Sequence, residues 1–233
     1  TNIEVSDGNW ASINSRDISI SDANPRFIWV GGYMGNFSKI HVSSDWGDSY
    51  NPVNNFTNEN GLGMGTISGI YTHPIEDSTA YVLFSYYGYP KIVKTEDLGN
   101  TWEDISGFAS LDDGLSVSST GFPNVGVYSL LVMPHNTDII WVGTDIGLIE
   151  STDGGKNWYL VESNMPYTAI YDLKVKDEGQ VVITTHGAGL WTATLQDLTS
   201  FIPKPATLPP VIVDAYQVSS QDCLLYTSPS PRD

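Results

Sequence analysis

Positive charge is scarce in this 233-residue chain: 10 Lys and Arg stand against 27 Asp and Glu, a net charge of −17. With no basic cluster, it offers nothing to nucleic-acid phosphates or to an anionic membrane, so no nucleic-acid partner is expected. Long apolar runs are missing too. None approaches the roughly 18–20 residues that cross a bilayer as a helix, so no membrane insertion is expected. The opening segment TNIEVSDGNW lacks the make-up of a signal peptide. Cysteine occurs once, as Cys223, and only 16% of residues are charged. What the chain does have is 40% hydrophobic residues, 13 Tyr, 7 Trp, 7 Phe and 22 Gly. That is enough for a buried core, and the aromatic-rich, Lys-poor balance suits an all-β extracellular protein.

Residues 223–233, CLLYTSPSPRD, resemble the conceptual translation of a transposase sequencing adaptor over eleven consecutive residues. They are set aside as an artefact of that origin. Without them the chain has no cysteine, hence no disulfide, no thiol nucleophile and no Cys metal site. On this reading the open reading frame is cut by the end of a sequencing read. Its natural C-terminus is then missing, and a start without Met leaves the N-terminus open too.

Repeats decide the expected fold. Three segments share Ser/Thr-x-Asp-x-Gly-x-x-aromatic, running Ser43 to Tyr50, Thr95 to Trp102 and Ser151 to Trp158. A shortened copy spans Ser6 to Trp10. Ile or Val follows each aromatic by three residues: Ile13, Val53, Ile105 and Val161. Upstream, ISDANPRFIWVG (20–31) aligns without gaps on VMPHNTDIIWVG (132–143), and THPIEDSTAYVL (72–83) fits the same frame. The aromatic-to-aromatic distance is 21, 21 and 17 residues. A fourth unit, 180–190, overlays 138–148, placing His186 on Thr144, and runs on without a box. Each unit reads as four short strands between Gly, Pro, Asn and Asp turns. In the second unit these are 68–72, 80–84, 91–95 and 102–105. Four-stranded units at this period read as β-propeller blades, about four of them, forming part of a larger propeller.

The boxes resemble the Asp-box, or bacterial neuraminidase repeat, of sialidases, xyloglucanase-type glycoside hydrolases, sortilin-type receptors and a photosystem II assembly factor. The resemblance covers roughly residues 1–196 and implies propeller blades over 1–198. In the boxes Asp45, Asp97 and Asp153 are expected to staple turns by accepting backbone N–H bonds. Gly47, Gly99 and Gly155 would supply positive φ, and Tyr50, Trp102 and Trp158 would pack over the hairpins. A Pro-rich linker is expected over 199–210 and the start of a truncated β-domain over 211–222, whose Val211–Val218 alternates like a strand.

In a propeller the loops joining second to third strands share one face with the inter-blade loops, and the boxes take the other. Tyr33, Phe37, Tyr86, Tyr87, Tyr89, Asp112, Asp113, Asp145 and His186 are therefore expected on the loop face. Tyr33, Phe37, Tyr86, Tyr87 and Tyr89 are the candidate ligand-binding residues; Asp112, Asp113, Asp145 and His186 are the catalytic candidates. Flat rings beside carboxylates suit a sugar, which needs stacking faces and hydroxyl acceptors. The same tyrosines also suit a blade-edge cover, and His186 a structural histidine. His73 and His135 read as turn residues on the box face, and His41 as a strand residue. No metal-ligand spacing or calcium-loop pattern occurs, so neither metal nor cofactor is expected.

A sialidase site needs three arginines for the substrate carboxylate, but only Arg16 and Arg26 remain once the tail is set aside. No Gly-x-Ser-x-Gly elbow and no phosphate loop is present. Three readings stay open. The first is a secreted module, expected as a monomer, that binds polysaccharide or an extracellular protein without catalysis. The second is part of a xyloglucanase-like hydrolase using paired carboxylates. The third is a sortilin-like or assembly-factor-like protein-interaction propeller. Class and composition favour export from a bacterium, to the periplasm, cell surface or medium.

Overall fold

A computed structural model describes residues 16–35, 38–57, 64–108, 116–176 and 179–194, together with the backbone of 4–5. Phe37, Asp112, Asp113, the short box at 6–10, the linker, the truncated segment and the tail lie outside the described residues.

Every described element is a strand. The first sheet holds β1 (Glu4–Val5), β2 (Asp17–Ile20), β3 (Ile28–Gly31), β5 (His41–Ser43) and β6 (Ser49–Pro52), in the order β1-β6-β5-β3-β2, with β1 parallel to β6. A short ribbon pairs β4 (Tyr33–Met34) with β7 (Gly65–Thr66). The second sheet runs β8 (Gly69–Thr72), β9 (Ala80–Leu83), β10 (Ile92–Thr95), β11 (Glu103–Asp104), and the third β12 (Val127–Val132), β13 (Ile140–Thr144), β14 (Gly147–Ser151), β15 (Tyr159–Leu160). In both, each strand lies antiparallel beside the next. The fourth sheet shows three strands, β16 (Ile170–Lys176), β17 (Gln180–Thr185) and β18 (Leu190–Thr194). Successive antiparallel four-stranded sheets of this kind are the blades of a β-propeller.

The second-unit strands fall within about one residue of the expected ranges, and the reason is burial on both faces. Along β9, Tyr81 and Leu83 enter the core shared with the third sheet, while Ala80 and Val82 enter the core shared with the first. Along β13, Ile140 and Val142 face the second sheet and Trp141 the fourth. A strand sandwiched in this way reads as an unbroken apolar run, because alternate side chains feed two cores. First strands of neighbouring blades lie side by side: Ile70 N–H donates to Asp17 Oδ2 (2.7 Å), and Tyr71 Oη–H to the Tyr128 carbonyl (3.1 Å).

The three boxes repeat one network. The buried hydroxyl of Ser43, Thr95 or Ser151 donates to the first oxygen of Asp45, Asp97 or Asp153 and accepts the Gly47, Gly99 or Gly155 N–H. The same Asp oxygen takes the backbone N–H of Ser49, Thr101 or Asn157. The second oxygen takes those residues' side chains at 2.5–2.7 Å. Two consecutive residues are left-handed, including the non-glycine Trp46 (φ 67°) and Leu98 (φ 57°).

The boxes also fasten one blade to the next. Gly99 N–H and carbonyl belong to the second box, and that carbonyl accepts the Asn54 N–H (2.9 Å) from the first unit. Trp102 Nε1–H donates to the Asn54 carbonyl, and Trp158 Nε1–H to the Ile105 carbonyl, both at 2.8 Å. Val53 and Ile105 lie directly against Gly99 and Gly155, where an added Cβ would come within 2.5 and 2.9 Å. This explains the Val and Ile three residues after the first two full boxes' aromatics.

Candidate functional site

Box turns and loop clusters do separate as topology requires. Trp46, Leu98 and Gly154 N–H groups donate to the carbonyls of Arg26, Ser78 and Asp138, the first-to-second turns of their own blades. On the loop face, Gly88 N–H in the second-to-third loop of one blade donates to Asn124 Oδ1 in the inter-blade loop (2.9 Å). Ser85 Oγ–H there reaches the Val127 carbonyl (2.7 Å).

The sequence candidates divide into two groups on this face. Tyr33 is half-buried and pairs with Thr66 in the β4–β7 ribbon. Tyr86 Oη accepts the Thr66 N–H (3.1 Å), and its ring meets Tyr89 edge-on at 6.2 Å. Tyr89 packs against the core between the first two blades. These three carry structural contacts, whereas the Tyr87 ring is 69% exposed.

The second group centres on Asp145. Its carboxylate accepts Tyr128 Oη–H at Oδ1 (2.6 Å) and Gly126 N–H at Oδ2 (2.9 Å). The Tyr128 ring lies 4.7 Å from that of Tyr171, tilted 49°, and Tyr171 meets His186 edge-to-face at 5.5 Å and 89°. Asp145 and His186 are thus brought into one strip, joined by two tyrosines that the sequence reading passed over. Hydrogen bonding to Asp145, aided by burial, pushes the Tyr128 phenol up to about 12, so it keeps its proton.

Both tyrosines occupy the same structural position. Pairing along β12–β13 skips from Val127 to Ser129, and along β16–β17 from Ile170 to Asp172, so Tyr128 and Tyr171 are the extra residues of β-bulges. A bulge re-aims its extra side chain, here at the loop end of each blade's first strand. The signal was present as Gly126-Val-Tyr-Ser-Leu130 against Ala169-Ile-Tyr-Asp-Leu173. Gly126 has no room for a side chain: a Cβ would fall 2.6 Å from Asp145 Oδ2 and 2.8 Å from Tyr128 Oη.

His186 does not stand on Thr144; Thr185 does. Thr144 Oγ1–H donates to the Gly147 carbonyl (2.7 Å) and Thr185 Oγ1–H to that of Gly189 (2.6 Å). Asp145 N–H then bonds the Gly126 carbonyl as His186 N–H bonds that of Ala169. The fourth blade's turn is one residue longer, which shifts the frame and makes His186 the counterpart of Asp145.

Lys91 lies beneath this face and is fully buried. Its ammonium donates to the Tyr86 carbonyl and sits 5.6 Å from the centre of the Phe108 ring. Burial pulls it down to about 8, against an upward pull from Asp145. Among the described residues, no three His, Cys, Asp or Glu side chains gather closely enough to hold a metal ion.

No protein-family model and no curated protein matches the sequence. Solved structures do resemble it in fold. The GH74 xyloglucanase from Xanthomonas campestris superposes with a TM-score of 0.56 at 16% identity, over 85% of this chain and 32% of that one. This chain is an all-β propeller protein. YCF48 from Cyanidioschyzon merolae (TM-score 0.48, 18% identity, 80% and 54% covered) is also similar. So is the extracellular domain of the hybrid two-component system BT4673 from B. thetaiotaomicron (0.49, 20%, 76% and 20%). The chain spans about a third of the xyloglucanase and about half of YCF48.

Proposed function

We propose that this chain is a binding module of a secreted or cell-surface bacterial propeller protein. It takes a polysaccharide or an extracellular protein through its loop face, without catalysis in the part present here. The observation that carries this reading is the strip Asp145–Tyr128–Tyr171–His186, with exposed rings beside a carboxylate whose orientation is fixed by two donors. Tyr87 and Tyr167, 69% and 72% exposed, extend the aromatic surface available on this side of the blades. Asp145 is bonded to its own neighbours, Gly126 and Tyr128, which suits a fixed acceptor for a ligand.

The test is calorimetric titration of the chain with soluble xyloglucan and with extracellular protein fractions, alongside a reducing-end assay. Binding should weaken about tenfold in Tyr171→Ala, the loss expected of one aromatic contact, and no reducing ends should appear. Release of reducing ends would support the hydrolase reading instead. Binding that survives loss of the rings but not of the loop charges would support the sortilin-like one.

A further inference from the structure

We infer that the Tyr128–Asp145–Tyr171–His186 strip receives a cationic head group, a lysine or arginine side chain presented by a basic segment of a partner protein. The inference rests on the loop face being the binding surface and names which partner chemistry suits it.

Charge complementarity points this way at two ranges. At long range a net charge of −17 leaves neutral polymers unattracted, repels anions and draws basic segments in. At contact range Asp145 is exposed, and its carboxylate is held by Gly126 N–H on one oxygen and Tyr128 Oη–H on the other. Each oxygen keeps a lone pair, so a guanidinium or ammonium can bond to a carboxylate that is already oriented. The phenol that donates to Asp145 becomes more electron-rich in its ring, which strengthens the negative face beside the acid.

Ring geometry favours a small cation over a flat sugar. Tyr171 is 45% exposed, but Tyr128 at 4.7 Å and His186 at 5.5 Å flank it. A pyranose needs an open platform, whereas a cation needs only an approach within about 6 Å of a ring centre. Lys91, which acts on Asp145 from inside, is buried and engaged with the Tyr86 carbonyl and the Phe108 ring. It leaves the outer side of the carboxylate to a ligand.

The experiment measures Kd for a nonapeptide of alternating Arg and Gly at about 150 mM salt, where diffuse attraction is screened beyond about 8 Å. Tyr171→Leu and Asp145→Asn should each weaken binding about tenfold. Asp48→Asn, the same charge change on the exposed box face, should alter it less than twofold. Equal weakening by Asp145→Asn and Asp48→Asn would overturn the inference, because the attraction would then be diffuse. Failure of the peptide to bind, with a neutral polysaccharide bound in a Tyr171-dependent way, would overturn it too while leaving the loop-face reading intact. Absence of any binding at this face would overturn both.

Discussion

At the scale of the residue, the box aspartates show how a local network sets a proton affinity. Asp45 and Asp153 are lowered to about 2, chiefly by the side chains of Ser49 and Asn157, and Asp97 is lowered by Thr101 in the same way. The folded state therefore favours the carboxylate. Its contribution is complete above the ordinary value of 3.8 and is lost as pH falls through about 2. Asp153→Asn should accordingly lower the denaturation midpoint by a constant amount above about pH 5. The gap from wild type should narrow between pH 4 and 2. A gap that stays constant to pH 2 would show that the Asp153 bonds do not favour the charged form.

At the scale of the element, the turn and the blade seam are one device. Gly99 has φ of +81°, and an added Cβ would lie 2.5 Å from Val53 Cβ on the neighbouring blade. Gly99→Ala should cost about 2–4 kcal/mol, combining left-handed strain with overpacking of the seam. Urea denaturation measures it, and a cost below about 1 kcal/mol would mean that the seam yields freely. The sequence shows Gly99 as a turn glycine and Val53 as the apolar residue three places after a box aromatic. It does not show that they touch, because that contact joins successive blades. The strands themselves were legible, since burial on both faces leaves continuous apolar runs such as Ala80–Leu83. The fourth-unit register was not. Its longer turn, His186-Gly-Ala-Gly189, has too few side chains to fix an alignment, and the Thr185 hydroxyl bond, the His186 N–H bond and the strand pairing reveal the extra residue.

At the scale of the whole molecule, three buried clusters join the first sheet to the second, the second to the third, and the third to the fourth. Among the described residues no such cluster joins the fourth sheet to the first. This stacking turns a one-dimensional repeat into two faces with different chemistry: box turns on one, aromatic and acidic loops on the other. On the loop face Asp145 and His186 share one strip, while Phe37, Asp112 and Asp113 lie outside the described residues. The strip's centre was missed because a β-bulge leaves no mark on a strand read for alternation, and Tyr128 and Tyr171 show only in the match of residues 126–130 to 169–173. Ligands are expected to enter on this face. Backbone amide chemical-shift mapping during titration with the Arg-Gly peptide and with xyloglucan tests it most directly. Shifts should concentrate at Gly126, Asp145, Tyr171 and His186, with Gly47, Gly99 and Gly155 unmoved. Shifts concentrated at those box glycines, or spread evenly over both faces, would contradict it.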